Sequence, residues 1–514
     1  MDVDQVFHIV GEIGPQQVLY FIYASIIGGV FVSGQMLQIV FTGATPEYTC
    51  WDSNKLTRNT CDNNNNCKGP SYVSSFTSIV TEWDLVCSRA YQVRIVQSVF
   101  MTGVMVGAFA FGYLSDRIGR RRTLLYSTVL MSVFSFFGSM APSLYLHAAC
   151  RFLTGTTTAS LALVSFVLMT ELVGPSRRAL LGTLFPGFFA VGIALHAALA
   201  YYIPNWRYYS VATSLSGLLC LPLSIWLPES PRWLILHGQR QEAKAVLYRI
   251  AVGNNSVNGL PRSWDIQEHK MKLQASHPKV LLSNRTLRNQ TLIQIFLWMV
   301  NGVSYYALTM AASILGGNLY LNTALSGLVE VPGYLLTAWL LGFIGRRRSL
   351  CAVMLLGGLS CIALHVLSHV GASVTICSIL SLLGKMCIAA SFAIIYIYSA
   401  ELMPTVVRNV GMGVASVAAR VGGILSPFVS LLDQISPALQ FTALGLLMVI
   451  SGLAALSLPE TTGKPLPETI NDVEKDERDH HVKHKIHGLP ITNGAWENSD
   501  EELTSEKQAL MENT

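Results

Sequence analysis

The chain has 514 residues, 51% hydrophobic and only 13% charged, about half the charged share of an ordinary soluble domain. Its formal charge of +5 averages two unlike parts: residues 459–514 carry 6 Lys/Arg against 13 Asp/Glu, and the preceding 458 carry 29 against 17. A nucleic-acid binder needs basic clusters on a polar surface, whereas these charges are confined to short gaps between long apolar runs, so composition excludes that class and indicates a membrane protein.

The chain starts acidic, Met1-Asp-Val-Asp4, and leads into an apolar run near 18–41 that is long enough to span a bilayer. That pattern does not fit a cleavable signal peptide and makes residues 1–17 a cytoplasmic N-terminus. Further runs of about 20 apolar residues follow near 94–114, 123–141, 144–173, 179–203, 208–227, 291–315, 322–344, 350–369, 373–400, 410–432 and 437–458, so twelve spans are predicted. Twenty of the 29 basic residues before residue 459 fall in alternate gaps: Arg117, Arg120, Arg121 and Arg122; Arg177 and Arg178; ten from Arg232 to Arg288; Arg346, Arg347 and Arg348; and Arg408; the opposite gaps hold six. Because Lys and Arg are retained on the cytoplasmic side, both termini are expected there.

The polar segment 42–91 is then an extracellular loop. It holds Cys50, Cys61, Cys67 and Cys87, the arrangement expected of two disulfides in an oxidising compartment, with three pairings open. A zinc site is the rival reading, but the segment has no C-x2-C spacing and no histidine nearby. The remaining six cysteines lie in apolar runs and read as small core residues. Residues 228–290 form a cytoplasmic linker with one amphipathic helix around Arg240–Ile250. Its sequons, Asn254-Asn-Ser256, Asn284-Arg-Thr286 and Asn289-Gln-Thr291, fall on the side where glycosylation is not expected. Residues 459–514 are too poor in apolar side chains to fold alone and are expected to be a disordered acidic cytoplasmic tail.

Three motifs repeat in order. Gly119-Arg-Arg121 returns as Gly345-Arg-Arg347, Glu171-Leu with Arg178 as Glu401-Leu with Arg408, and Leu227-Pro-Glu229 as Leu458-Pro-Glu460, at offsets of 226, 230 and 231. Each falls at the cytoplasmic end of the matching span of six. The chain is therefore expected to be an all-α membrane protein of two parallel-repeat six-helix bundles, residues 18–227 and 291–458, able to rock about a central site.

Gly112-Tyr-Leu-Ser-Asp116-Arg117-Ile-Gly119-Arg120-Arg121 resembles the loop signature of the major facilitator superfamily. Ser78-Ile-Val-Thr-Glu-Trp-Asp-Leu-Val-Cys87, Pro228-Glu-Ser-Pro-Arg-Trp-Leu234, Ala400-Glu-Leu-Met-Pro-Thr-Val-Val-Arg408 and the run from Leu458 to Thr469 look like the organic cation, carnitine and organic anion transporter family, and the resemblance covers about residues 5–470. It implies plasma-membrane transport of small organic ions through a twelve-helix fold.

The charges divide into two groups. At the cytoplasmic ends of spans, Asp116 sits in the basic cluster with Arg117, Gly119 and Arg120. Glu171 with Arg178, Glu401 with Arg408, and Glu229 with Arg232 join it as an expected inner gate that makes and breaks as the bundles rock. Gly342 and Phe343 stand where Asp116 and Arg117 stand in the first half, so this latch is expected to be asymmetric.

Inside predicted spans lie Arg151, Glu330, Lys385 and Arg420, where each charge costs roughly 2.5 to 3.5 kcal/mol even on an insertion scale and needs a partner or water. Arg151, in Arg-Phe-Leu-Thr-Gly155, reads chiefly as an internal pairing residue. Arg420, in Ala-Arg-Val-Gly-Gly423, occupies a place where carnitine and anion carriers of the family resemble Arg-x-Gly and cation carriers resemble Asp-x-Gly-Gly; Glu330 looks like the acid of cation and carnitine carriers. Tyr305, in Tyr-Tyr-Ala-Leu308, resembles the family's cavity motif, and with Tyr306 and Trp298 it could hold a quaternary ammonium by cation-π attraction. Phe188, Tyr396 and Tyr398 are weaker candidates of the same kind.

Tyr305, Glu330, Lys385 and Arg420 are thus the predicted substrate residues. One acid and one base suit a zwitterion of carnitine type or an organic cation; an organic anion exchanger and a non-transporting receptor are the alternatives. No H-E-x-x-H, G-x-S-x-G or P-loop pattern supports an enzyme, and no residue set singles out a metal, cofactor or coupling ion.

Overall fold

The computed structural model describes residues 3–52, 55–58, 68–73, 75–259, 278–282, 284–311, 317–463 and 467. Cys61, Cys67 and, of the acidic tail expected over 459–514, residues 464–466 and 468–514 lie outside the described residues. Among the described residues, ten helical stretches are long and apolar enough to cross a bilayer: Pro15–Thr42, Cys87–Ile118, Leu144–Glu171, Pro175–Tyr202, Trp206–Trp226, Arg285–Ala311, Leu319–Phe343, Arg346–His369, Val374–Leu402 and Arg408–Asp433. Arg120–Ser139, whose leading arginines lower its hydropathy, and the 17-residue Leu439–Ala455 complete twelve. In chain order they are spans one to twelve, with Arg120–Ser139 third and Leu439–Ala455 last.

Small residues let the spans pack closely. In the second bundle a Cβ on Gly302 would run into the Ala419 carbonyl, and one on Gly422 into the Met299 carbonyl, so spans seven and eleven meet backbone to backbone. Each bundle has its own large apolar core among the described residues. One joins Phe31, Phe100, Leu161 and Leu168 of the first bundle; the other joins Trp298, Met354, Ile394 and Met448 of the second. Tyr306 and Phe189 pack against both.

The bundles touch at the end that carries the cysteine segment. There Ser98 Oγ donates to the Ile424 carbonyl at 2.7 Å, Arg94 Nε to Ser430 Oγ at 2.9 Å, and Phe41 stacks on Tyr320 with ring centroids 5.8 Å apart.

Three features were absent from the sequence reading. Residues expected as a plain N-terminus form a helix, Val3–Val10, which buries Val3, Val6, Phe7 and Val10 in the same core as Ala243, Leu247 and Ile250 of the linker helix Arg240–Gly253. The linker, expected to hold one helix, also forms Pro231–Leu236, started by Ser230 Oγ accepting from the Trp233 amide and by Pro231 at the first position. The loop between spans one and two holds a small antiparallel sheet, β1 (Glu47–Asp52), β2 (Lys55–Arg58) and β3 (Lys68–Val73), with β1 in the centre. Cys50 on β1 and Cys87 at the start of span two are both disulfide-bonded.

The sequon at Asn254 is a packing element: Asn254 Nδ2 donates to the Val10 carbonyl at 3.1 Å and to Gln17 Oε1 at 3.0 Å, and Ser256 Oγ donates to the same carbonyl at 2.8 Å.

Candidate substrate site

Span eight is interrupted at Val329, between Leu319–Leu328 and Glu330–Phe343. Pro332 causes the break, because it has no N–H to give the Leu328 carbonyl and its ring crowds that carbonyl. Val329 keeps helical torsions, so the span continues through a local irregularity that places Glu330 inside the bilayer. Its side chain is fully buried and fully satisfied. Oε1 lies 3.0 Å from Lys385 Nζ and accepts from Tyr305 Oη at 2.8 Å; Oε2 accepts from Tyr334 Oη at 2.9 Å.

Lys385, on span ten, is 1% exposed. It also donates to Thr309 Oγ1 at 2.6 Å and stands 3.2 Å from the centroid of the Tyr305 ring. Removing one member of such a pair would leave a buried charge uncompensated, at a cost of about 3 to 5 kcal/mol. Tyr305 is buried except for 8% of its surface and meets Tyr306 edge-on at 5.3 Å.

Arg420, on span eleven, belongs to a different environment. It is partly exposed; its Nη1 donates to the Ser416 carbonyl at 2.9 Å and to Ser416 Oγ, and its Nε is buried with no partner among the described residues. It makes no ion pair among the described residues, so mutual neutralisation of Glu330 and Arg420 does not occur in this conformation; Lys385 takes that role. Tyr396, 47% exposed, packs on Trp298 at 4.4 Å. Trp298 itself is fully buried and donates to Ser399 Oγ at 2.9 Å, and Tyr398 is buried with its hydroxyl on the Pro459 carbonyl at 2.6 Å, so neither lines an open surface. Arg151 is an internal residue: it donates to Gln38 Oε1 at 2.8 Å and the Gln35 carbonyl at 2.9 Å and lies over the Phe100 ring.

At the basic end several of the residues expected at an inner gate form clasps. Among the described residues Glu171 and Glu401 pair with arginines other than Arg178 and Arg408. Glu171 pairs with Arg120 at 3.1 Å, and Arg120 also pairs with Asp116 at 3.0 Å; Glu401 pairs with Arg346 at 3.0 Å. The cause is the chain reversal at Gly119, φ 101°, and at Gly345, φ 93°, conformations that favour glycine. Each reversal aims two helix-start amides at one carboxylate. Glu229 accepts from the amides of Arg120 at 2.8 Å and Arg121 at 3.1 Å, and Glu460 accepts from those of Arg346 at 2.8 Å and Arg347 at 3.1 Å.

Arg178 and Arg232 instead converge on Asp4 of the N-terminal helix, the former at 2.7 Å. Arg408 donates to the Met403 carbonyl at 3.2 Å, and Arg117 lies over the Tyr113 ring. All these clasp bonds join residues of one half. Where Asp116 pairs with Arg120 in the first clasp, Gly342 offers Arg346 no side chain, and Arg346 Nη1 instead lies 3.4 Å from Thr462 Oγ1. Asp4, Arg346, Glu460, Thr309 and Tyr334 were missing from the predicted set. The repeat offsets point to Arg346 and Glu460 directly, whereas nothing local marks the others.

The family model for sugar (and other) transporters matches residues 30–472. The chain is 38% identical over 483 residues to the solute carrier family 22 member 15-like protein of Xenopus tropicalis, covering 92% of this chain and 96% of that one. It is 34% identical to the human organic cation/carnitine transporter 2, covering 81% and 75% respectively. Among solved structures, the xylose transporter XylE from E. coli in an inward open conformation superposes with a TM-score of 0.62 at 16% identity, over 90% of this chain and 98% of that one, which fixes the fold. With twelve spans in two repeated bundles, the chain belongs to solute carrier family 22 of the major facilitator superfamily and is a membrane transporter, not an enzyme.

Proposed function

We propose that this protein carries small carboxylate-bearing organic ions, foremost carnitine-like zwitterions, across the plasma membrane by alternating access, with both termini in the cytoplasm. The observation that carries the reading is the unequal fate of the intramembrane charges. Glu330 is cancelled by Lys385 and capped by two tyrosine hydroxyls, while Arg420 is partly exposed and has no acidic partner among the described residues. Arg420 then receives the carboxylate, and the aromatic faces of Tyr306 and Tyr396 receive the ammonium by cation-π attraction. Tyr305 links the buried pair to the aromatic group, since it touches both ions and Tyr306.

The sidedness rests on the confinement of the Arg clusters to one end of the spans. Contact between the bundles at the cysteine end corresponds to a carrier closed toward the exterior. The clasps stiffen each bundle, so that the two rock as units.

The same charge pattern supports a second reading, exchange of organic anions, because the free charge in the cleft is positive. An uptake panel in proteoliposomes separates the two, comparing carnitine, tetraethylammonium and p-aminohippurate with and without a sodium gradient. Saturable carnitine uptake with no tetraethylammonium uptake is expected. Preference for p-aminohippurate selects the anion reading, and uptake of tetraethylammonium alone overturns both.

A further inference from the structure

The ligands around Lys385 Nζ make a cation site. They are the Glu330 carboxylate at 3.0 Å, the Thr309 hydroxyl at 2.6 Å, the Tyr305 carbonyl at 3.5 Å and the Tyr305 ring face at 3.2 Å. One carboxylate with neutral hydroxyl and carbonyl oxygens is the donor set of a small hard cation, and the ring face adds cation-π attraction. The site also has an approach. Lys385 borders a crevice lined by Leu308, Asn322, Ser326, Ser378 and Ser381. Asn322 and Ser378 lie near the cysteine end of spans eight and ten, and Ser326 Oγ is buried there with no partner among the described residues. Polar side chains therefore line much of this narrow crevice, beside a site whose occupant is already part of the chain.

We infer that the Lys385 ammonium is a tethered stand-in for a coupling cation: it permanently fills the carboxylate-bearing site of the second bundle, so the carrier binds no sodium there and works without a cation gradient. The inference builds on the proposed carrier function, but binding to the site can be read without transport.

The full-length protein in detergent is titrated with sodium, potassium or methylammonium chloride, with N-methyl-D-glucamine holding ionic strength constant, and thermal unfolding is followed. The wild-type Tm is expected to ignore all three cations. Lys385→Ala is expected to unfold earlier and to recover saturably in methylammonium, by roughly 3 °C at full occupancy, and Glu330→Gln in the same chain should abolish the recovery. A folded Lys385→Ala that responds to none of the cations overturns the inference. Should Lys385→Ala and the bulkier Lys385→Met both fail to fold, the wild type decides: a saturable sodium-dependent rise in its Tm overturns the inference, and a flat titration supports it. Absence of zwitterion uptake would refute the substrate reading and leave these titrations interpretable.

Discussion

Reversing the charge at Arg420 is the most direct test of substrate selection. A carboxylate about 4 Å from the guanidinium gains roughly 4 kcal/mol at an effective dielectric of 20. Arg420 is partly exposed, so solvent screening reduces this to about 2 kcal/mol. Arg420→Gln removes the attraction and should raise the KM for carnitine about 30-fold. Arg420→Asp replaces attraction with repulsion of similar size, a swing of about 4 kcal/mol or roughly a thousandfold, and the same swing favours a bare cation. The side chain's observed hydrogen bonds go to Ser416 on its own helix, so the substitution breaks no hydrogen bond between spans among the described residues. Initial rates of labelled carnitine and tetraethylammonium uptake in proteoliposomes, normalised to protein inserted, provide the readout. If Arg420→Asp keeps carnitine uptake within about threefold of wild type and admits no tetraethylammonium, the charge-selection argument is wrong.

Glu460 governs an acid limb of stability. Burial alone would raise its pKa, but the Thr462 hydroxyl and the amides of Arg346, Thr462 and Arg347 outweigh burial and hold it below its ordinary 4.5. Its stabilisation is therefore complete above about pH 4.5 and lost as pH falls further, so Glu460→Gln should flatten the decline in Tm on acidification. Gly119→Ala forces a Cβ into a φ of 101° and against the Glu229 carboxylate, and should cost about 2 kcal/mol, with Gly345→Ala its counterpart; thermal unfolding of both checks this. Asp4→Asn leaves Arg178 and Arg232 without their shared counter-charge, and faster proteolytic cleavage ahead of residue 15 is expected. Ser98→Ala with Arg94→Ala removes two bonds between the bundles, and spin labels on spans two and eleven should report a longer, broader distance at the cysteine end.

The twelve spans were legible because bilayer thickness imposes a length and apolarity that no other element needs. The repeat was legible because both copies kept Gly-Arg-Arg and Leu-Pro-Glu. Partner choice was not. Glu171 and Arg178 are close in sequence, but the turn at Gly119 delivers Arg120 to that carboxylate from a neighbouring span. Three charges inside spans eight, ten and eleven were visible as a group, yet which two meet depends on helix rotation, and Lys385, not Arg420, faces Glu330. The N-terminal helix was missed because eight residues are too short to register as a span, and its apolar face has meaning only against the linker helix it covers.

The closed pair of Glu330 and Lys385 also has an electrical consequence. Both charges ride on one bundle and cancel at 3.0 Å, so their movement carries no net charge through the membrane field. That field is worth about 2.3 kcal/mol per unit charge per 100 mV, and in the cleft it acts on Arg420. On the proposed reading a zwitterion adds no net charge, so Arg420 carries one positive charge through the field whether the carrier is loaded or empty, whereas a bound organic anion would cancel it. Voltage would then bear on both half-cycles for a zwitterion and only on the empty return for an anion, so the voltage dependence of uptake separates the two substrate classes.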